Sequence, residues 1–317
     1  MRTAIFKYDY ENYGCYRVGA VNIGDYIQSI AASQYFDHID TYIDRDKLYN
    51  VQDDTCVIGN GWYLLDEKRH SISESVNFLP VSIHIANQND KSAKIIANLA
   101  HRNMPVGCRD LSTMEFLQSH GIEAYFSSCL TTTLSRDFIL KDCKEKQERK
   151  GIIFADARID KLKIFPVTRL LDQWKKKNKF APVHQELYNL MERFESDQIE
   201  ITSHNCSFSK THAQRFELAM ELLKKYASAK CVITSRIHCA LPCLGLGTPV
   251  VLITNTFDQG RFRGLDNFLN HIYMHKDGSL SKIIETQNGE IINSTAFYEK
   301  ANELRNRCSS FTKRILK

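Results

Sequence analysis

The stretch that decides the fold runs from Ala229 to Ile253 and reads AKCVITSRIHCALPCLGLGTPVVLI. An apolar strand at its start ends in Thr234 and Ser235, and a second apolar strand follows the Gly-Thr-Pro turn at residues 247–249. The small and apolar residues between them predict a short helix. A strand, a helix and a second strand in this order are typical of the βαβ unit of a parallel sheet. The stretch therefore predicts an α/β protein.

Arg236 and His238 follow the first of these strands, at the point where the chain turns into the helix. Open α/β sheets bind their ligands just outside the carboxyl ends of the strands. The planar guanidinium of arginine fits carboxylate or phosphate oxygens, and a nearby anion raises the pKa of histidine. We expect the pair to hold a small anion and to give it a proton. The structural alternative is that Arg236 pairs with a carboxylate from the other half of the chain while His238 packs against the helix.

Strands alternate with helices on both sides of a highly charged segment at Lys141–Lys150, which we interpret as a linker. The pattern predicts an N-terminal α/β domain over residues 1–145 and a C-terminal α/β domain over residues 151–317. We expect two doubly wound, Rossmann-like domains that face a cleft. The C-terminal domain, with Arg236 and His238, is the expected donor side, and the N-terminal domain is the expected acceptor side.

Composition excludes several classes of protein. The chain has 317 residues, of which 43% are hydrophobic and 25% charged, as in globular proteins with real cores. The apolar run at the start is too short for a secretory signal, and no window is long enough to span a bilayer, so we expect a cytoplasmic protein. The ten cysteines form no CxxC pair and no framework, which predicts reduced structural thiols and no metal site.

The net charge of +5 is mild. Basic residues are interleaved with acidic ones, so a nucleic-acid partner is not expected. Trp174–Phe180 joins an aromatic ring to four lysines. This segment suits peripheral contact with an anionic membrane at its inner face, contact with a charged glycan, or a solvated helix end.

Four further segments place polar residues near strand ends or helix starts. In Asn22–Asp25, Gly24 allows close approach of a ligand and Asp25 is a candidate general base, whereas a helix cap is the structural alternative that this segment taken alone favours. Arg109 and Asp110 form either a second anion clamp or an ion pair with no ligand. Asp156 with Arg158, and His204 with Asn205, end two strands of the second half, as substrate contacts or as turn residues.

In this order, these residues resemble the polysaccharide pyruvyltransferase family. The matching segments are Asn22–Asp25, Gly107–Asp110 with the helix to Gly121, Ser127–Thr131 and, most specifically, Ala229–Ile253. The resemblance covers about residue 14 to residue 255. Family members often carry Asp-Pro-Ala where this chain has Ser127-Ser128-Cys129.

The resemblance implies a fold like that of the two-domain GT-B glycosyltransferases. It also implies transfer of pyruvate from phosphoenolpyruvate, as a ketal, to two hydroxyls of a sugar in a bacterial surface polysaccharide such as a capsule. Phosphoenolpyruvate is the implied co-substrate, and no other cofactor is implied. The acceptor is a sugar, and a lipid-linked sugar would fit the mild positive charge of the chain. Residue roles follow from the match. His238 is the implied acid and Asp25 the base, the implied donor contacts are Arg236, Arg109, Ser235 and Arg158, and the expected acceptor contacts are Asn22, Gly24 and Asn60.

Two other classes of function stay open at this point. A GT-B glycosyltransferase that uses a nucleotide sugar would bind diphosphate with Arg236 and would not require His238 as an acid. A non-catalytic glycan-binding protein would need neither role.

Overall fold

Two parallel β-sheets organise the computed structural model. It describes residues 1–9, 20–63, 71–143, 148–157, 181–192, 194, 198–255, 260–275, 277 and 279–316. In chain order the strands are β1 (Arg2–Lys7), β2 (Val21–Asn22), β3 (Thr41–Asp44), β4 (Thr55–Tyr63), β5 (Val76–Ile85), β6 (Val106–Cys108), β7 (Ala124–Phe126), β8 (Ile152–Ala155), β9 (Ile199–Thr202), β10 (Asn205–Cys206), β11 (Cys231–Thr234), β12 (Val250–Thr254), β13 (Asn270–Met274), β14 (Leu280–Ile283), β15 (Thr286–Gln287) and β16 (Glu290–Ile291). The helices are α1 (Ile23–Ser33), α2 (Asp90–Ala100), α3 (Leu111–Ser119), α4 (Arg136–Ile139), α5 (Ala181–Glu192), α6 (His212–Ser228), α7 (Ile237–Gly245) and α8 (Tyr298–Ile315).

The two sheets share one strand order. The first runs β3-β1-β4-β5-β6-β7 and is parallel throughout. The second runs β14-β13-β12-β11-β8-β9, parallel except for the antiparallel edge strand β14. In each sheet the order reverses beside the first strand, at β1/β4 and at β8/β11, and such reversal points open a crevice at the carboxyl ends of the strands. The predicted α/β class with two doubly wound sheets is confirmed.

The apolar patterns explain where the core lies. β4 and β5 are buried along almost their whole length, as expected for strands covered by helices on both faces. One continuous core extends from the first sheet, through α1, α6 and α7, to one face of the second sheet. A smaller core covers the other face of the second sheet. The antiparallel pair β2 and β10 also joins the two halves, next to the start of α1.

The C-terminal helix α8 crosses back to the first sheet. Arg307 donates hydrogen bonds to the carbonyls of Asn103 and Pro105, and Arg314 donates one to the side chain of Asn103. The sequence pattern assigns this helix to the C-terminal domain, although its contacts include the first half. The domain limits of 1–145 and 151–317 stay a prediction.

Some strand limits differ from those predicted. The sequence pattern ends β4 at Gly59, yet the strand continues to Tyr63. Pairing with β5 shifts between Gly59 and Gly61, whose φ of +132° suits glycine, and then resumes. Local sequence does not show such a bulge, because it is stabilised by the neighbouring strand.

Two further observations concern the described residues. Their nine cysteines are free thiols, and seven of these are buried. None of the helices in the described ranges is long and apolar enough to cross a bilayer.

Candidate active site

A cleft of about 260 Å³ lies where the carboxyl ends of both sheets meet. Its lining combines cationic, imidazole and aromatic side chains from both halves of the chain: Asn22, Asp25, Trp62, Arg109, His204, Ser235, Arg236, Ile237, His238, Arg261 and Phe262. Six of the nine residues predicted for the site are therefore together in one cleft: Asn22, Asp25, Arg109, Ser235, Arg236 and His238. Arg158 lies outside the described residues, as does the Trp174–Phe180 segment.

The turn after β11 places Arg236 at the edge of the cleft. The Thr234 hydroxyl donates to the carbonyl of Ala155 at 2.7 Å and accepts from the backbone N–H of Arg236 at 2.9 Å. A threonine at the strand end therefore links two neighbouring strands and fixes the turn. Arg236 is the N-cap residue of α7, so His238 lies in the first turn of that helix.

An ion pair orients the Arg236 side chain. Its Nε donates to Oδ2 of Asp156 at 2.9 Å, and one terminal nitrogen, Nη2, donates to Oδ1 of Asn205 at 3.2 Å. The structural alternative predicted a carboxylate from the other half, but Asp156 ends β8 in the same sheet. Asp156 has a φ of +44° and also accepts from Ser203 and from the backbone of His204. Nη1 of Arg236 makes no hydrogen bond to the described residues, which leaves it available to a ligand.

Arg109 approaches the cleft from the first sheet. The residue is 3% exposed, and its Nη1 lies 3.4 Å from Nε2 of His238. Its Nε is buried and makes no hydrogen bond within the described ranges, although it lies 3.9 Å from the carboxylate of Asp110. A buried donor without an acceptor is costly, and it indicates a site where a ligand oxygen would be stabilised.

Asp110 caps a helix and pairs with a histidine. Oδ1 accepts from the N–H of Thr113 at 2.9 Å and caps α3, while Oδ2 lies 2.6 Å from Nδ1 of His84. Hydrogen bonding to His84, with the charges of His84 and Arg109, outweighs burial and keeps the pKa of Asp110 below its usual value. For His84, burial and the charge of Arg109 together outweigh Asp110 and lower its pKa. Asp110 is therefore an anion that offsets part of the Arg109 charge.

His238 lies among cations. Burial, followed by the positive charge of Arg109 and smaller contributions from His204, Arg261 and His84, places its pKa well below the usual value. Its Nδ1 is buried and has no hydrogen-bond partner within the described ranges. The sequence predicts a pKa raised by a bound anion, whereas the protein's own charges shift it in the opposite direction. An anion between the arginines would offset these charges, so the acid form of His238 depends on ligand binding.

Sequence reasoning missed Arg261. It belongs to a short 3₁₀ turn, Gly260–Phe262, that follows β12. Burial, with the positive charges of Arg109 and Arg236, lowers the pKa of Arg261, so the three guanidinium groups act on one region. The available signal was its place after a strand of the second sheet, where β11 carries Arg236. Three arginines with partly unused donors favour a multiply charged anion.

The segment after β1 forms the opposite wall. Oδ1 of Asn22 accepts from the N–H of Gly24 at 3.2 Å and caps α1, and Asp25 lies in the first turn, 8% exposed, where it accepts from Gln28. A Cβ built on Gly24 would lie 3.0 Å from the Cβ of His238. Glycine at this position therefore lets α1 approach α7 closely. The helix cap and the cleft lining are the same residues, so the two interpretations of this segment do not exclude each other.

Asn60 and Trp62 differ in their surroundings. Asn60 is 1% exposed inside β4, donates to the carbonyl of Gln28 at 3.0 Å, and is not among the residues that line the cleft. Trp62, two residues further, does line the cleft and stacks on His84 with ring centroids 6.5 Å apart. Residues two apart share a face of a regular strand, but the pairing of β4 with β5 shifts between Gly59 and Gly61, and in this irregular stretch Trp62 reaches the cleft whereas Asn60 does not. Within the described residues, no group of three or more His, Cys, Asp or Glu side chains is arranged to hold a metal ion.

Comparison with known protein families identifies the family of this chain. The sequence profile of polysaccharide pyruvyl transferases matches residues 22–256, about three quarters of the chain and every described residue of the cleft walls except Arg261 and Phe262. The chain belongs to the polysaccharide pyruvyl transferase family. Membership makes it a transferase that acts in the pyruvylation of polysaccharide.

Other comparisons are distant. No curated protein sequence matches this polysaccharide pyruvyl transferase chain significantly. Among solved structures, a functionally uncharacterized protein of Klebsiella pneumoniae superposes with a TM-score of 0.41 at 14% identity, covering 82% of this chain and 87% of that one. The wall teichoic acid polymerase TagF superposes with a TM-score of 0.33 at 10% identity, covering 98% of this chain and 84% of that one.

Proposed function

We propose that this protein transfers pyruvate from phosphoenolpyruvate to two hydroxyls of a sugar, forming a cyclic ketal and releasing phosphate. The observation that supports the proposal most is the convergence of Arg109, Arg236 and Arg261 on one cleft that also contains His238. Phosphoenolpyruvate carries a carboxylate and a phosphate, and three guanidinium groups match both anions in charge and in hydrogen-bonding geometry.

The two halves of the chain contribute different N–H groups that can bind the anion. Arg236 is held by Asp156 and offers Nη1, and Arg109 offers its unpartnered Nε. Arg109 also lies beside His238, so an anionic oxygen bound to Arg109 would lie near the imidazole. Ser235 lines the same edge, and we assign it, with Arg158, to the donor site.

Binding of the donor prepares His238 for catalysis. Burial, and then the charge of Arg109, lower the pKa of His238. The donor's negative charges act in the opposite direction, and we propose that the imidazole takes up a proton as the donor binds. The acid is thereby formed only when there is a substrate to protonate. Acid–base chemistry of the enol phosphate accounts for the whole reaction, so the proposal includes no cofactor beyond the co-substrate.

The proposed steps balance in atoms and charge. His238 gives its proton to the methylene carbon, which becomes a methyl group, and the central carbon becomes electrophilic. A sugar hydroxyl adds to that carbon while Asp25 takes its proton. The C–O bond to phosphate then breaks, a neighbouring hydroxyl of the sugar closes the ketal, and its proton leaves with the phosphate. Return of the proton from Asp25 to His238 restores the site.

The acceptor is proposed to enter from the wall formed by the first sheet. Trp62 of β4 lines that wall, and its exposed part offers an aromatic surface for a sugar ring. Asn22, in β2, lines the same cleft, and we retain Gly24, which lies next to His238 but is not among the lining residues, as a proposed contact. We retain Asn60 as a proposed contact through the backbone of its strand. A lipid-linked or polymeric saccharide and a cytoplasmic location, at the inner face of the membrane, complete the proposal.

The experiment that tests the proposal is an assay of phosphate release and of ketal formation. Purified protein is incubated with phosphoenolpyruvate and a panel of glycans, free phosphate is measured, and a new ketal methyl signal is sought by proton NMR. His238→Asn is the matched inactive control, because it retains a polar side chain in the same helix turn. Thermal stabilisation by uridine diphosphate but not by phosphoenolpyruvate would contradict the proposal and favour a nucleotide-sugar glycosyltransferase.

A further inference from the structure

A second cavity, of about 680 Å³, lies between α8 and the segment before β6. Asn103–Pro105 line it and precede β6, whereas Arg109 follows the same strand and lines the catalytic cleft. At 3.3 Å per residue in a parallel strand, four residues separate the two positions by roughly 13 Å. The cavity and the cleft therefore lie at opposite ends of one strand.

The cavity is positively charged. Arg102, Arg307 and Arg314 line it, and Glu303 is the acidic residue among the described lining residues. Nζ of Lys300 lies 2.8 Å from the Glu303 carboxylate, which reduces the negative charge that Glu303 brings to the wall. Glu74 in turn pairs with Arg102, so Arg307 and Arg314 contribute the uncompensated positive charge, and two guanidinium charges match a dianion.

Each arginine is held in place through part of its guanidinium group. Nη2 of Arg307 donates to the carbonyls of Asn103 and Pro105, at 3.2 Å and 2.7 Å, and Nη2 of Arg314 donates to Oδ1 of Asn103 at 2.6 Å. Arg102 is held by Glu74, through the backbone carbonyl at 2.6 Å and through the carboxylate. The geometry is therefore fixed before any ligand binds, which lowers the entropic cost of binding.

Donors remain after these contacts. Within the described ranges, Nη1 of Arg307 and both Nη1 and Nε of Arg314 make no hydrogen bond. These N–H groups belong to residues that line a cationic cavity, so they can donate to an acceptor supplied from outside. Phosphate oxygens are strong acceptors that arginine binds well.

The cavity has an aromatic wall and is much larger than one phosphate group. The guanidinium of Arg307 lies over the ring of Tyr125, 5.2 Å from its centroid, and Phe311 lines the same cavity. We propose that this cavity binds the phosphate group of an organophosphate dianion, whose organic part packs against Tyr125 and Phe311. This proposal does not depend on the reaction assigned to the cleft.

Binding of glucose 1-phosphate in the Arg236→Gln background tests the proposal, since this background weakens anion binding in the cleft. In this background we expect calorimetry to detect binding of glucose 1-phosphate. Arg314→Gln and Arg102→Gln should each weaken that binding at least tenfold, or by about 1.4 kcal/mol. Arg305→Gln is the matched control, because Arg305 lies on the same helix but bonds Asn302 and does not line the cavity. Arg314 and Arg102 lie on different segments, and the unfolding temperature of each variant is measured. A variant that loses binding but keeps its unfolding temperature has lost the binding site and not the fold.

A second arm distinguishes the sources of the phosphate. Co-sedimentation with phosphatidylcholine vesicles that contain phosphatidate, reduced by Arg314→Gln but not by Arg305→Gln, would support a lipid headgroup as the ligand. Binding of glucose 1-phosphate alone would support a free phosphorylated molecule. Equal effects of Arg314→Gln and Arg305→Gln in both arms, or no binding of either probe in the Arg236→Gln background, would overturn the proposal.

Discussion

Replacing Arg236 with glutamine tests the donor site directly. The change removes the charged group that Asp156 orients toward the cleft, and with it a charge-assisted hydrogen bond to the donor. Such a bond contributes about 1.5–3 kcal/mol, so a loss of about 2 kcal/mol raises the dissociation constant of phosphoenolpyruvate roughly 30-fold. The change also affects folding, because Asp156, the partner of Arg236, is only 7% exposed, so the donor effect is measured as the difference in the free energy of unfolding with and without the donor.

Thermal or chemical unfolding with the donor measures this effect. Phosphoenolpyruvate at one hundred times the wild-type dissociation constant adds about 2.7 kcal/mol to the free energy of unfolding. With a 30-fold weaker site the same concentration adds only about 0.9 kcal/mol. Arg263→Gln is the matched control, since Arg263 pairs with Glu115 and does not line the cleft. Equal stabilisation of Arg236→Gln and Arg263→Gln by the donor would refute the assignment of the donor to this cleft.

Four further predictions use the same structure. Burial and neighbouring cations lower the pKa of His238 in the folded protein, whereas an unfolded chain protonates histidine near pH 6.5. The contribution of His238 to the free energy of unfolding is therefore level above about pH 6.5 and falls as the pH drops below it. His238→Gln should reduce that fall in unfolding experiments at several pH values. In calorimetry with two buffers of different ionisation enthalpy at pH 7, wild type should take up protons on binding phosphoenolpyruvate, and His238→Gln taking up as many would contradict the acid role. Gly24→Ala should lower kcat at least tenfold with a smaller change in unfolding temperature, since its Cβ would press on His238; unchanged turnover would mean that this contact is unimportant. Trp62→Ala should raise the KM for the sugar and leave donor binding within about twofold, and the reverse pattern would place the acceptor elsewhere.

Local sequence predicts the central elements because their patterns depend on few neighbours. The apolar strand before Arg236, the capped helix after Asn22 and the strand before Arg109 all lie where the sequence places them. Since parallel sheets bring the carboxyl ends of their strands to one edge, the chain order of these elements places Arg109 at that edge of the first sheet and Arg236 with His238 at that edge of the second. Only the packing of the two sheets brings the three side chains together. Periodicity predicts β5 less well, because its amino-terminal half is stabilised by β4 beside it and has little local signal of its own.

Other site features depend on distant contacts. Asp156 was a candidate substrate contact in the sequence, but the fold makes it the partner of Arg236, 80 residues away. Arg261 had only its place after β12 as a local signal, because a single arginine in a loop is common and only proximity to Arg109 and Arg236 makes it part of a site. The same holds for Asn60, which looks accessible in a Gly-Asn-Gly run and is buried because β4 continues through it.

The sequence by itself determined the α/β class, the strand ends that carry the chemistry and the residue types that suit an anion, because each follows from the hydrophobic pattern and from the chemistry of single side chains. The tertiary structure decided the protonation of His238, the orientation of Arg236 and the partners of Asp110. These properties depend on electrostatic interactions over a few ångströms between segments far apart in the chain. They exist only once both sheets have brought their strand ends to the same cleft.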